Sequence, residues 1–215
     1  FSSHNLPQVF TDVLVIGSGV AGISAALEAV SAGSVLVVTK AGVRDGCTNQ
    51  AQGGIAGALH PDDTPQDHFA DTIDAGCGLC DDEAVRILTG EGPERIRELM
   101  RLGVEFDRTD GDLSFTREGG HRRPRILHCN GDATGAAIEA VLAQHVRRHD
   151  QVGLYDETFV IDLLTHEGVC HGALIWSPDR GLMMVRAKQT ILATGGCGRL
   201  YRETTNPSVA TGDGL

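Results

Sequence analysis

The 215-residue sequence predicts an α/β fold, a mostly parallel sheet with an antiparallel β-meander inserted into it. Three observations carry that expectation. Residues 12–16 form a short apolar, β-branched run; Gly17-Ser18-Gly19-Val20-Ala21-Gly22 follows at once, then Ile23, Leu27 and Val30 at helical spacing, then a second apolar run at 35–38. This is the pattern of two buried parallel strands joined by a helix. Four further strand-like runs follow one another at 152–155, 158–164, 169–176 and 182–185, the last two joined by the turn Ser177-Pro178-Asp179-Arg180-Gly181. Residues 190–194 then read as one more buried strand, ending in Gly195-Gly196.

The other elements follow in order. Residues 1–11 read as a disordered lead-in to a single domain over 12–215. Gly33 closes the first helix as C′ glycines do. Residues 40–65 are polar, Gly-rich and aperiodic, the mark of a functional or disordered loop. A helix is expected over 67–75, and another begins at Asp81-Asp82-Glu83, with acids where the helix dipole favours them. Pro93 is expected to open a further helix that Gly103 ends. Short strands at 104–106 and 125–128 flank a polar loop at 107–123. An amphipathic helix then carries Ile138, Val141, Leu142 and Val146.

Composition excludes several classes of function. The net charge of −11 disfavours non-specific binding to nucleic acid or to an anionic membrane surface, although His121-Arg122-Arg123-Pro124-Arg125 is a local basic run. No apolar run approaches the roughly 20 residues a membrane helix needs. Residues 1–7 have neither the basic nor the apolar region of a signal peptide. The six cysteines do not form a disulfide scaffold. Cys77-Gly78-Leu79-Cys80 lacks the second ligand pair of a structural zinc site, so no metal is expected. Free thiols in a cytoplasmic protein are the expectation.

The G-x-G-x-x-G at 17–22 stands between strand and helix, where Gly17 permits the tight turn, Gly19 lets backbone approach a pyrophosphate, and Gly22 allows close packing. The acid that grips an adenosine ribose about 20 residues further on is missing, and Thr39-Lys40 stands there instead. Either backbone and hydroxyl groups hold the ribose, or Lys40 meets a phosphate. Ala193-Thr194-Gly195 can return the chain to the cofactor edge of the sheet, and Asp213, between two glycines, can accept hydrogen bonds from ribityl hydroxyls. Each alone is a bland turn; in this order they indicate FAD in a Rossmann-like domain.

Together with Ala51-Gln52-Gly53-Gly54-Ile55, Thr116-Arg117-Glu118-Gly119-Gly120-His121 and Thr205-Asn206-Pro207, these runs resemble the flavoprotein family that contains succinate dehydrogenases, fumarate reductases and L-aspartate oxidases. The resemblance spans residues 12–215 and implies a cofactor set of Gly17, Ser18, Gly19, Val20, Ala21, Gly22, Thr39, Lys40, Cys47, Thr48, Asn49, Gln50, Ala51, Gln52, Gly53, Gly54, Phe159, Val160, Ala193, Thr194, Gly195 and Asp213. Members with a covalent flavin carry a histidine where this sequence has Cys47, so non-covalent FAD is implied.

The 116–121 run is similar to the L-aspartate oxidase branch. Aspartate differs from succinate by one ammonium group, for which Glu118 is a fitting partner; the bland alternative is a solvated loop acid. His121, Arg122, Arg123 and Arg125 read either as a dicarboxylate clamp or, preferably, as a loop contacting another part of a larger enzyme. The resemblance implies oxidation of L-aspartate to iminoaspartate, with oxygen or fumarate as acceptor, on the route to quinolinate and NAD, and quinolinate synthase as a partner. It implies capping and helical domains downstream of residue 215, with the catalytic arginine among them, so that residues 1–215 alone would be inactive. The rival readings are a fumarate reductase or succinate dehydrogenase flavoprotein, and a non-catalytic dinucleotide-binding module.

Overall fold

A computed structural model describes residues 6–215. The chain divides into two compact units: residues up to Gln50 together with Glu139–Leu215, and Ala51–Ile138.

The first unit is built on one six-stranded sheet. β1 (Gln8–Ile16), α1 (Val20–Ala29) and β2 (Val35–Val38) form the expected parallel unit, and β7 (Val152–Tyr155) adds parallel to β2. β8 (Phe159–His166), β9 (Val169–Ser177) and β10 (Gly181–Leu192) form the meander, giving the order β7-β2-β1-β10-β9-β8. Two expected strands, 182–185 and 190–194, are one. β10 runs for 12 residues, pairing antiparallel with β9 in its first half and parallel with β1 from Met184 to Leu192. The polar residues Arg186, Lys188 and Gln189 mask this continuity in the sequence, because that stretch is held by ladder hydrogen bonds rather than by burial. The run at 152–155 belongs to the parallel edge, not to the meander.

The lead-in is shorter than expected. β1 begins at Gln8, because Gln8–Thr11 find ladder partners at Met184–Ala187; residues 1–5 lie outside the described residues. Asp12 then anchors the α1–β2 connection. Its carboxylate accepts from Ser34 N and Oγ and pairs with Lys188 Nζ at 2.6 Å. Those contacts, Lys188 first, hold it at about pKa 2. The two sheet faces have separate cores: Leu14, Ile16, Leu36 and Val38 with the meander's Ala173, Ile175, Met183 and Val185, and Val13, Val15, Val35 and Val37 with Ala26 of α1.

The second unit holds β3 (Ile55–Ala56), α2 (Pro65–Ala75), α3 (Asp82–Leu102), β4 (Arg108–Thr109), β5 (Asp112–Leu113) and β6 (Ile126–Leu127); α4 (Thr134–Arg148) leads back to the first unit. Pro93 does not open a new helix. It lies inside α3, where Val85, Thr89, Pro93 and Ile96 make one buried stripe at helical spacing, and that shared face outweighs the single hydrogen bond a proline forfeits. Residues 104–106 are not a strand. The expected loop at 107–123 contains the β4–β5 hairpin, turning at Asp110-Gly111 with φ of 54° and 94°, a D-G signal that sequence reading passed over. The expected loop at 40–65 likewise contains β3, which pairs with β6.

α2 starts two residues before the expected start. Thr64 caps it by accepting from Asp67 N at 3.1 Å, and Pro65 fills the first turn. Replacing Thr64 with Ala is expected to destabilise the fold by about 1 kcal/mol, read as a lower urea midpoint at unchanged slope; an unchanged midpoint would show that the cap contributes nothing.

Candidate functional site

The C-terminal ends of the parallel strands gather motifs far apart in sequence, where open α/β sheets bind their ligands. Gly17 follows β1 and donates to Val38 O at 2.9 Å; Ala193 follows β10 and donates to Ile16 O at 2.8 Å; Thr39 follows β2 and donates to Tyr155 O at 2.9 Å. Thr158 N in turn bonds Thr39 O at 2.9 Å, which sets Phe159 and Val160 beside the same edge. Phe159 is 43% exposed, while Val160 packs on the core.

The glycines here fall into two classes. A Cβ on Gly17 would lie 2.2 Å from Ala193 O, and one on Gly22 would lie 2.0 Å from Gly17 O. The protein needs those two bare for its own packing, and Gly17 also has φ of +112°. At Gly19 a Cβ would meet only Thr48 Oγ1, at 3.4 Å, and at Gly46, Gly195 and Gly196 nothing lies within 4 Å. Those positions border open space, although Gly195, with φ of +73°, is also needed for its backbone turn. Gly19 opens α1, whose first turn carries no acid, so N–H groups at positive partial charge face that space. An opening of this kind fits the pyrophosphate of FAD.

The side chains are more occupied than sequence reading supposed. Ser18 Oγ donates to Val43 O at 2.9 Å and lies 3.0 Å from Thr39 Oγ1, so it secures the loop after β2. Thr48 Oγ1 accepts from Val20 N at 3.1 Å. Asn49 accepts from Arg44, Gln50 N closes a turn on Cys47 O, and exposed Cys47 lies 3.5 Å from Asn206 Oδ1. Lys40 reaches across 173 positions to the Asp213 carboxylate, and Thr211 Oγ1 donates to the same group at 2.8 Å. Lys40 first, then Thr211, hold Asp213 below the usual carboxylate range.

Glu139 was not foreseen. It is 1% exposed, and among the described residues neither carboxyl oxygen has a hydrogen-bond partner of acceptable geometry. Burial pushes its pKa up to about 7, against a partial offset from Thr48 and Arg44. A Glu one residue after Ile138 on an amphipathic helix was the available signal, since it falls beside the apolar stripe.

In the second unit, Ala51, Gln52 and Gly53 are exposed, and Ala51 O accepts from Gly135 N at 3.0 Å. Gly54 is tightly packed: a Cβ there would lie 2.3 Å from Ile126 Cγ2 and 3.0 Å from His128 Cε1. Glu118 is exposed, with Oε1 3.6 Å from His128 Nε2, which itself lies 2.9 Å from Thr116 Oγ1.

The basic run beside Glu118 is largely engaged within its own unit. Arg125 is fully buried, its guanidinium bidentate on Asp63 at 2.8 Å and bonded to Asp71 at 2.7 Å. Arg122 also binds Asp71 through its backbone and side chain. Burial alone would raise Asp71; these bonds outweigh it and hold the carboxyl at about 2. A dicarboxylate clamp built on Arg122 and Arg125 is therefore disfavoured. Sequence reading missed Asp63 and Asp71 because acids 54 and 62 positions from Arg125 leave no local pattern.

Comparison with known proteins agrees with this geometry. The FAD binding domain family matches residues 12–215. The chain is 49% identical to an L-aspartate oxidase of Streptomyces coelicolor, over 96% of this chain and 37% of that protein. It is 46% identical to a chloroplastic L-aspartate oxidase of Nicotiana tabacum, over 96% of this chain and 33% of that protein. Among solved structures it resembles the FrdA chain of an E. coli quinol fumarate reductase, at a TM-score of 0.91 and 29% identity, over 98% of this chain and 37% of that one. The chain thus spans about a third of the length of the relatives it matches.

A buried acid whose folded pKa lies above its unfolded value, here about 7 against 4.5, costs stability as pH rises between the two. Glu139→Gln is expected to be neutral near pH 4.5 and to stabilise by up to about 3 kcal/mol above pH 7, measured by urea unfolding at both pH values. An equal effect at both would show that Glu139 is not buried as an acid.

Proposed function

The chain belongs to the FAD binding domain family, and from that premise we propose that it is the flavin-binding part of an FAD-dependent L-aspartate oxidase. One observation carries the choice of substrate: Glu118, an exposed carboxylate, stands in the run Thr116–His121, and the nearby Arg122 and Arg125 are turned to Asp71 and Asp63 rather than to it. It is therefore available to an external cation, and an α-ammonium group is one. The identities to L-aspartate oxidases support the same reading.

Bound FAD supplies the redox chemistry, acceptance of a hydride equivalent from the substrate α-carbon. The residues of this chain bind and orient. Gly19, Val20 and Ala21 form the α1 N-terminus offered to the pyrophosphate, with Val20 N already held by Thr48 Oγ1 and Ser18 securing the loop after β2. Thr39, Lys40, Ala193, Thr194, Gly195 and Asp213 line the strand ends, and Lys40 presets the Asp213 carboxylate for a hydroxyl donor. Cys47, Asn49, Gln50, Ala51, Gln52, Gly53, Gly54, Phe159 and Val160 complete the assigned set. Glu118 receives the ammonium of aspartate.

Oxidation converts the amine to iminoaspartate, and the electrons reduce oxygen to peroxide or fumarate to succinate. The imine hydrolyses in water, which favours direct hand-over to quinolinate synthase on the route to NAD. All six cysteines are free thiols, which fits the reducing cytoplasm. Among the described residues no helix is long and apolar enough to cross a membrane.

In the holoenzyme, Glu118→Gln is expected to raise KM for L-aspartate at least tenfold while leaving succinate binding unchanged. Unchanged aspartate kinetics would remove the basis of the substrate assignment. Acid precipitation is expected to release the yellow colour into the supernatant; colour retained in the pellet would indicate a covalent bond at Cys47.

A further inference from the structure

His128 joins the two motifs of the second unit that point to function. Its Cε1 lies 3.0 Å from where a Cβ on Gly54 would stand, beside Ile126 Cγ2 and Leu127 O at 2.3 and 2.6 Å, so the second glycine of Ala51-Gln52-Gly53-Gly54 packs bare against the segment that carries the ring. Its Nε2 lies 2.9 Å from Thr116 Oγ1 and 3.6 Å from Glu118 Oε1. Its Nδ1 is buried and has no hydrogen-bond partner among the described residues. Among the described residues, the acceptors given near this ring, Thr116 Oγ1 and Glu118 Oε1, face Nε2, so an N–H is assigned there. Thr116 is pinned in turn: its N donates to Ile126 O at 2.9 Å and its carbonyl accepts from Ile126 N at 3.0 Å. Glu118 thus lies two residues beyond a fixed point, with the imidazole that bonds Thr116 at 2.9 Å standing 3.6 Å from its carboxylate. The ring also borders a cavity of about 300 Å³, lined by Asp107, Ser114, Thr116, His128 and Gly131, so it abuts open space rather than filling a closed core.

We propose that His128 is a positioning residue for Glu118: through Nε2 it holds Thr116 and the Glu118 carboxylate in the orientation that distinguishes an amino dicarboxylate from a plain one. This rests on the reading of Glu118 as the ammonium partner. A histidine that merely packed against Gly54 would affect all dicarboxylates alike. One that orients Glu118 affects only those bearing the ammonium.

The test uses the holoenzyme, with KM and kcat for L-aspartate and the inhibition constant of succinate measured for four variants. His128→Ala and His128→Asn, neither of which places a donor at the Nε2 position, are expected to raise KM for aspartate about tenfold, with kcat and succinate inhibition little changed. His128→Gln, whose Nε2 can reach Thr116 Oγ1, is expected to restore most of the loss. Glu118→Gln runs in parallel. If it discriminates aspartate from succinate and the His128 variants do not, the positioning role is overturned while the substrate reading stands. If Glu118→Gln itself fails to discriminate, both fall. Should His128→Ala fold poorly, the contrast between Asn and Gln decides: equal kinetics in the two would overturn the proposal.

Discussion

The close approach of Gly17 to Ala193 is the constraint on which the first unit depends. β1 and β10 lie side by side, and the carbonyl of Ala193 occupies the space a Cβ on Gly17 would need. The same turn lets Gly22 sit against Gly17 O, so α1 starts immediately above the strand end. With those two contacts made, the N-terminus of α1, the end of β2 and the residues after β10 face one opening. Gly19, where an added Cβ would meet only Thr48 Oγ1 at 3.4 Å, is a glycine that packing does not require and that leaves that opening empty.

Electrostatics then divides the charged residues into those used in folding and those left for ligands. Arg125 is spent on Asp63 and Asp71, and Arg122 on Asp71. A bidentate guanidinium buried with two carboxylates is a poor candidate to bind a third, because desolvation has already been offset within the unit. Lys40 and Asp213 are paired as well, but both side chains are partly exposed, which leaves them able to exchange partners with a bound cofactor. Glu118 differs from all of these: its carboxylate has His128 Nε2 at 3.6 Å, and it remains exposed.

Much of this was legible in the sequence where the signal is local. The strand–glycine–helix–strand start, the Gly103 stop and the meander follow from periodicities within a few residues. The Asp110-Gly111 hairpin and the Thr64-Pro65 helix start carry equally local signals, and reading past them left those elements out. Pro93 misled because a rule for isolated helices was applied to one whose buried stripe runs through the proline. The joining of 182–185 to 190–194 was not legible, since the polar residues between them belong to the strand only through its neighbours β1 and β9.

The sequence by itself determined that this is an FAD-binding α/β protein, because a glycine loop between strand and helix, a return strand ending in Ala-Thr-Gly and their order along the chain are properties of the covalent chain. It also singled out Glu118, through the residues on either side of it. Only the tertiary structure decided which arginines are paired, that Lys40 meets Asp213, that Glu139 is buried, and that His128 stands near both Gly54 and Glu118. Those facts depend on contacts between residues tens to more than a hundred positions apart. Burial and pairing belong to the folded neighbourhood, and a residue type alone carries neither.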